Sequence, residues 1–473
     1  MTRTRKDDVK LVKSICVAGV ILLATSGCVT GAQPRNDINP ALQYYSAFLL
    51  APNLSKTDHD FLFTNEWRGQ ILPARFGQLL LGFDNQFRLL RQAAQANAPC
   101  DWGIDMSPGP ATLLPHIGQA KEIAQIARLR AIWDLRDPRR VLLDYRGEAL
   151  AGPSSSLGLA LNRGAADAVD DLLAALALGR NAARDGTLIS ALVQVAVENT
   201  FCSTVAENFY QLPPESLKQL ADGLATAPTR RTMASCLPLE KAIFVDWLRT
   251  KIEEFLSQPG ANENIVMNKI GRLLFGMFSQ ETNERAGGGS PEFLQFWAHV
   301  LNSSTGSASE RLLKWLEEAE PFYQRAAIIM ALPQPEYEGQ IKQLRTDIQK
   351  ASNPVLTFAF PDIEKARVQE FAIEAQLAMV RAAWEYKLHG DAGLNSVQDP
   401  FGKGPFVIKR FLLAGKERGF ELQSKYAGRG FQEVMIFVEN NEFRFVVSGR
   451  NAGQVLPYPN ENLPPLFPWR VSE

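Results

Sequence analysis

The sequence predicts a mainly α-helical protein, built from antiparallel helical hairpins in a bundle or an irregular solenoid, with a small C-terminal antiparallel β-module. Apolar side chains recur at three- and four-residue spacing over most of residues 40–395, which is typical of amphipathic helices. After residue 396, short β-rich runs replace that pattern. No repeat of fixed period is visible, so a regular tetratricopeptide array is not expected.

Length and charge limit the domain organisation and the partners. The 473 residues include 50 Lys and Arg against 51 Asp and Glu, a balance that favours no nucleic-acid partner. A chain of this length suggests two or three units. We expect a signal peptide over residues 1–27, a polar tether over 28–39, a helical domain over 40–286, a second helical region over 287–395, and a β-module with a Pro-rich tail over 396–473.

The N-terminus predicts export. Charge ends at Lys13, and residues 14–27 then read SICVAGVILLATSG, a run too short for a bilayer span of about 20 residues but typical of a secretory signal. No later segment is expected to span a membrane.

The end of this run, Thr-Ser-Gly-Cys at residues 25–28, resembles the lipobox of bacterial lipoproteins, with Thr25 where Leu is usual. The resemblance implies that Cys28 is lipidated and becomes the first residue of the mature chain, which a lipid anchor then holds to the membrane. Val29 in place of Asp favours the outer membrane, facing the periplasm. The alternative is a plain signal peptide in which Cys28 is incidental.

The remaining cysteines leave the disulfide pattern open. Removal of Cys16 with the signal and lipidation of Cys28 leave Cys100, Cys202 and Cys236 in a compartment where disulfides persist. Three is an odd number, so at least one thiol stays free, and three buried free thiols are as compatible with the sequence as one bond. No C-x-x-C motif occurs, which disfavours a redox role.

The helical part is predicted element by element. Apolar stripes predict helices over about residues 76–94 and 113–133, and residues 137–164, rich in Pro, Gly and Ser, predict a long loop. A Gly-Gly-Gly-Ser-Pro run at 287–291 predicts a linker, and a final helix is expected over about 362–389.

A helical hairpin is predicted at the centre of the core. Helices over residues 166–183 and 187–210 are joined by Arg-Asp-Gly at 184–186, a connection short enough to make them antiparallel neighbours. The second helix is expected to bury one stripe, which consists of Leu188, Leu192, Val195, Asn199 and Cys202.

The β-module is expected over residues 405–449. Its predicted strands are 406–412, 419–424, 434–438 and 443–447, with the last two joined by a hairpin turn at 439–442.

Several of these stretches together resemble a family of exported proteins, without an assigned activity, that is known mainly from planctomycetes and related bacteria. The matching stretches are residues 100–102 with 113–116, residues 184–193 and the run Asp-Pro-Phe-Gly-Lys-Gly-Pro at 399–405. The resemblance covers most of residues 40–425 and implies architecture and export, and it implies no site.

The helix, the 399–405 turn and the small sheet are also similar to the C-terminal part of type II secretion pseudopilins, where an acidic loop can hold calcium. The corresponding residues 424–430, SKYAGRG, include Lys425 and Arg429 and no carboxylate. Calcium takes six to eight oxygen ligands, so no calcium site is expected here.

Motifs for the common chemistries do not occur in the sequence. The four histidines, His59, His116, His299 and His389, are scattered and form no zinc motif, and the usual hydrolase, nucleotide and dinucleotide signatures are absent. We therefore expect no metal and no cofactor, and we assign no catalytic residue. Dispersed triads and carboxylate pairs stay open, because they assemble from distant residues.

Three residues have both a functional and a structural interpretation. His116 can be a ligand or a base, but a hydrogen-bonding role at a helix terminus is favoured. A buried, satisfied amide is favoured for Asn199 over a binding group. Trp102 can line a groove, but an aromatic residue after a turn more often fills the core.

These observations favour a non-enzymatic envelope lipoprotein that binds a partner protein or supports an assembly. The alternative is an envelope hydrolase with a dispersed active site. A pocket with titratable groups in hydrogen-bonding reach would favour the hydrolase.

Overall fold

The computed structural model describes residues 38–63, 74–136, 156–278, 291–302, 306–413, 415–428, 430–440, 447–449 and 452–454. This part of the chain is mostly helical and ends in one small antiparallel sheet, which confirms the predicted fold class. The signal peptide, Cys28, most of the tether, the glycines of the linker and the Pro-rich tail lie outside the described residues.

The first half of the described chain is helical. Its helices are α1 (Pro40–Leu49), α2 (Lys56–Phe63), α3 (Ala74–Leu81), α4 (Asp84–Ala94), α5 (Pro115–Arg136), α6 (Ser156–Ala182), α7 (Leu188–Glu207), α8 (Pro214–Thr226), α9 (Leu237–Lys241) and α10 (Trp247–Leu256). A single π-helical turn, Ala242–Asp246, joins α9 to α10.

The second half continues with helices and ends in the sheet. The helices are α11 (Glu263–Phe278), α12 (Pro291–Asn302), α13 (Ala308–Met330), α14 (Gln334–Ala351), α15 (Pro354–Ala359) and α16 (Ile363–Ser396). Helix α16 is interrupted at Gly390, whose φ of 62° favours glycine, so the predicted end at residue 389 marks a real break.

Buried apolar side chains form two hydrophobic clusters. The larger contains α1, the α5–α7 helices, the C-terminal end of α13, α16 and the sheet. The smaller lies within residues 244–356 and is centred on α10, α11, α12 and α13. The domain boundary expected at residue 287 stays a prediction, because residues 279–290 lie outside the described chain.

The predicted hairpin is present as α6 and α7. A 3-10 turn at Ala183–Asp185 and Gly186, with φ 85°, reverse the chain between them. Helix α6 begins at Ser156, so the long loop predicted over 137–164 is wrong for its last part. Leu and Ala are strong helix formers, and they outweigh the cost of about 1 kcal/mol that one interior Gly brings.

The predicted buried stripe of α7 is confirmed at Leu188, Val195 and Cys202 and is wrong at its other two positions. Leu192 is 36% exposed and Asn199 is half-buried, so Asn199 is not the fully buried amide that was expected. The buried face is wider than that stripe and also includes Ala191, Gln194 and Glu198. Apolar periodicity missed Gln194 and Glu198 because it counts polar and charged side chains as outward-facing.

The expectation that no segment after the signal is apolar enough to span a membrane is wrong for helix α7. By length and composition it is apolar enough to do so, with a mean hydropathy of 1.4 in its most apolar stretch. In the fold it is a core helix, 61% of that stretch being buried inside the protein.

The β-module contains β1 (Val407–Leu413), β2 (Lys416–Gly428) and β3 (Phe431–Val438), in the order β1-β2-β3 with antiparallel pairing. Phe420 lies opposite Phe437 on the face that covers α7 and α16. Residues 441–446, most of the predicted fourth strand and its turn, lie outside the described residues. The carbonyl of Val447, which follows them, accepts a bond of 2.7 Å from the Ile436 N–H of β3.

A pair of neighbouring substitutions tests which positions of α7 face the core. Ala191→Asp places a carboxylate on the buried face and should destabilise the protein by more than about 3 kcal/mol. Leu192→Asp, one residue away on a partly exposed position, should cost about 1 kcal/mol or less. Urea unfolding followed by circular dichroism measures both, and equal losses would contradict the observed face.

Candidate functional site

A groove of about 750 Å³ lies between the helical body and the β-module. The groove is lined by residues 331–333 between α13 and α14, the first two residues of α14, the first half of α16 and the loop 400–403. Lys425 of β2 lies at its side. Ligand sites are typically about 300 to 1,000 Å³, so the groove has the size of a ligand site.

Asp399 holds the loop that lines this groove. Its Oδ1 accepts from the Phe401 N–H at 3.0 Å and from the Ser424 hydroxyl at 2.8 Å, and its Oδ2 accepts from the Lys425 N–H at 2.6 Å. Its own N–H donates to the Gly404 carbonyl at 3.0 Å, closing the loop. One buried carboxylate thereby fixes residues 399–404 to strand β2, in the stretch that the sequence singles out as 399–405.

The positively charged side chain of Arg367 lies at the bottom of the groove. Its guanidinium pairs with Glu370, donates to the Leu332 carbonyl at 3.1 Å and lies 4.0 Å from the centroid of the Phe371 ring. These contacts hold the long side chain in one position.

Aromatic rings and prolines form the apolar wall. The Phe371 and Phe401 rings meet edge to face at 5.5 Å, and Phe401 lies 4.9 Å from Tyr426. Pro333, Pro335 and Pro400 also line the groove. Such a wall accommodates an apolar group of a ligand.

The charges that a ligand would meet are mostly positive. Lys403 and Lys425 are exposed, and Glu374 is half-buried. Burial raises the pKa of Glu374, and the neighbouring guanidinium groups of Arg230 and Arg367 act in the opposite direction. Since Arg367 is paired with Glu370, two free ammonium groups face one carboxylate. The described lining contains no Ser, Thr, Cys or His, and this lining suits binding of an anionic group beside an apolar one.

His116 lies elsewhere, in a sealed cluster. It is fully buried at the start of α5, its ring stacked on Trp102 at 4.4 Å. Its Nε2 lies 3.0 Å from Asp185 Oδ2 and 3.2 Å from the carbonyl of Ala182, the last residue of α6. Both neighbours are acceptors, so we assign the proton to Nε2. The favoured helix-terminal role agrees with this geometry, although the terminus belongs to α6 and not to the histidine's own helix.

Asp185 is the centre of that cluster. Besides His116, it accepts from the Thr187 N–H at 2.9 Å, the Thr187 hydroxyl at 3.1 Å and the Ser190 hydroxyl at 2.5 Å. Burial alone raises the pKa of Asp185, but the hydrogen bonds outweigh it and hold the pKa below its usual value.

This cluster has the residue types of a hydrolytic triad but a different arrangement. In a triad the serine bonds to the histidine, which removes its proton. Here Ser190 and His116 both bond to Asp185, and both are fully buried. The cluster therefore stabilises the turn between α6 and α7.

Trp102 fills the core, as the favoured interpretation predicts. Its indole N–H donates to the Asn181 carbonyl at 2.7 Å, and its ring stacks on Tyr44 at 5.7 Å and on Phe48 at 6.2 Å. Trp102, which is 5% exposed, thus joins α1 to the end of α6.

Sequence reasoning did not predict that the groove cations meet, and it missed a buried ion cluster. Glu198 of α7 accepts from Arg180 Nε at 2.9 Å and from Arg230 Nε at 2.9 Å, with its side chain fully buried. One signal could have revealed this ion cluster: each of the two apolar helices α6 and α7 has a charged residue at a position that faces the core. For Arg367, Lys403 and Lys425, which come from three segments, the sequence offers no such signal.

The three remaining cysteines and the other histidines form no site in the described chain. Cys100, Cys202 and Cys236 are all buried free thiols. Burial raises the pKa of Cys100 to about 12 and that of Cys236 to about 11, which keeps both protonated. His59, His299 and His389 are exposed on separate helices, and no group of three or more His, Cys, Asp or Glu among the described residues is placed to hold a metal ion.

The substitution Asp185→Asn tests the role of the sealed cluster. Asparagine carries no charge, and its amide N–H₂ would face the hydrogen-bond donors that surround Asp185. We expect the free energy of unfolding to fall by about 2 kcal/mol or more at neutral pH. Because the folded pKa of Asp185 is lowered, its stabilisation is present above the unfolded pKa near 3.8 and is lost as pH falls through the folded value. The difference between the two proteins should therefore shrink in acid.

Asp105→Asn is the matched control, since Asp105 is an exposed residue whose pKa is also lowered by hydrogen bonds, from Ser107. Unfolding by urea at several pH values compares the two variants. If Asp185→Asn costs no more than Asp105→Asn, the cluster does not stabilise the turn.

No protein-family model, no curated protein and no solved structure matches this chain. The resemblances to exported planctomycete proteins and to pseudopilins therefore stay predictions. The geometry of the groove is the basis for a functional proposal.

Proposed function

We propose that this chain is an exported envelope lipoprotein, anchored through Cys28 to the outer membrane and facing the periplasm, that binds the carboxyl-terminal segment of a partner protein. The proposal of export and anchoring rests on the uncharged run at residues 14–27 and the lipobox-like residues 25–28. The proposal of binding rests on the groove.

One observation carries the binding proposal: two exposed lysines from different segments, Lys403 and Lys425, meet an aromatic wall in one groove. A carboxylate forms strong charge-assisted hydrogen bonds with ammonium groups. The Phe371 and Phe401 rings suit an apolar last side chain, and the Glu374 carboxyl is an acceptor for a peptide N–H. These three features match a peptide that ends in an apolar residue with a free carboxylate.

The groove favours binding over the alternative of a hydrolase. Its described lining offers one carboxyl group, Glu374, and no hydroxyl or thiol nucleophile from Ser, Thr or Cys. The His116, Ser190 and Asp185 side chains, which have the residue types for hydrolysis, are sealed in the core. We therefore retain the non-enzymatic role as the proposal.

Lipidation is tested on the mature N-terminus. Mass spectrometry of the protein from its own envelope should show an acylated Cys28, because a lipobox cysteine receives a diacylglycerol before cleavage of the signal. Cys28→Ser should move the protein out of the membrane fraction. An unmodified mature terminus at another residue would contradict the lipoprotein assignment.

Groove binding is tested with a labelled short peptide that ends in phenylalanine, offered with a free carboxylate or as the amide. The free acid should bind saturably in fluorescence polarisation, and the amide at least about tenfold more weakly, a difference of about 1.4 kcal/mol. Lys403→Ala and Lys425→Ala should each weaken binding of the free acid, and added salt should weaken it further.

Lys409→Ala is the control, because Lys409 is an exposed lysine of β1 that does not line the groove. It should leave affinity unchanged. Equal binding of acid and amide, or equal effects of all three lysine variants, would contradict the proposed recognition of a carboxylate.

A further inference from the structure

The outward face of α1 is apolar and exposed. Ile38, just before the helix, is 40% exposed, and Leu42, Leu49 and Leu50 are 61%, 87% and 46% exposed. Charge is absent from the whole stretch 38–55, which Asp37 and Lys56 flank. An uncharged surface with four large exposed aliphatic side chains is expected to be covered by an apolar environment.

The exposed residues form a stripe and not a scatter. At 100° per residue, Leu42 and Leu49 lie about 20° apart around the helix axis, and Ile38 precedes the first turn. The opposite side of α1, with Ala41, Tyr44 and Ala47, is fully buried in the larger hydrophobic cluster. Helix α1 is therefore apolar on both sides, and only one of these sides packs against the core.

Helix α1 is fixed in this orientation. The Asn39 side chain caps it by accepting from the Ala41 N–H and also bonds to the backbone of Asp101 at 2.6 and 3.0 Å. At its centre, the Tyr44 hydroxyl accepts from the Asn181 amide at 3.0 Å. These bonds prevent the helix from rotating to bury its leucines.

The position of the stripe in the chain identifies its occupant. Cys28 precedes Ile38 by ten residues, a distance that spans at most about 33 to 36 Å when fully extended. Acyl chains on Cys28 would keep α1 this close to a membrane surface, and an apolar helix face of this kind enters the boundary between headgroups and acyl chains.

We infer that the outer face of α1 docks on the lipid surface in which Cys28 is anchored, with Ile38, Leu42, Leu49 and Leu50 entering the bilayer interface. The inference rests on the proposed lipidation of Cys28. Docking through a rigid helix orients the whole body relative to the membrane, which a lipid anchor alone does not do.

The test uses the mature acylated chain carrying Leu49→Cys, labelled with an environment-sensitive fluorophore. The buried thiols of Cys100, Cys202 and Cys236 do not compete for the label, and the Cys28 thiol is blocked by its lipid. The protein is reconstituted in phosphatidylethanolamine–phosphatidylglycerol vesicles that contain nitroxide-labelled lipid. We expect a blue shift of the label and quenching by the nitroxide.

Leu294→Cys is the matched control, since Leu294 of α12 is 52% exposed but belongs to a helix of the other hydrophobic cluster. A label there should stay in water. If acylation of Cys28 is verified and the label at position 49 also stays in water, the inference is wrong while the lipid anchor stands. Protection of position 49 in detergent, with a dimer in sedimentation, would mean that a second copy covers the face and would overturn the inference. An unacylated Cys28 would overturn both.

Discussion

The α6–α7 hairpin has three carboxylates whose side chains are fully buried, Asp171, Asp185 and Glu198, and each must find an ion-pair or hydrogen-bond partner inside the fold. A buried charge that loses its partner costs about 3 to 5 kcal/mol. The partners come from different elements: Arg91 of α4, His116 and Arg130 of α5, Arg180 of α6, and Arg230 after α8. The need to keep these pairs fixes the neighbouring helices around the hairpin.

The pairing of buried carboxylates also connects the hairpin to the groove, through the segment that follows α8. Arg230 bonds to Glu198 of the hairpin, and three residues later the Met233 N–H donates to Glu370 of α16 at 3.0 Å. Glu370 in turn pairs with Arg367, which lines the groove. The segment 230–233, held by charge-assisted bonds at both ends, thus connects the core hairpin with the base of the groove. The opposite wall is fixed separately, by the bonds that Asp399 makes to its own loop and to β2.

Much of the fold could be predicted from the sequence, but the assembly of the groove could not, for a physical reason. The hairpin, the break at residue 390 and the strand runs depend on local periodicity and on glycine, which are legible in a single sequence. Helix α7 shows the limit, because apolar patterning places Leu192 on the buried face and misses Glu198, whose buried charge is paired with two arginines. Of the groove, residues 399–405 and Lys425 stood out in the sequence and Arg367 did not, and only packing brings these segments together.

The sequence by itself determined the fold class, the order of most elements and the expectation of an export signal, because these follow from short-range spacing of apolar, turn-forming and charged residues. Tertiary structure alone decided which helix faces are buried, that Cys100, Cys202 and Cys236 stay free, and that Lys403 and Lys425 share a groove. The reason is that desolvation and charge pairing act between residues far apart in the chain, so their balance is set only when the segments come together.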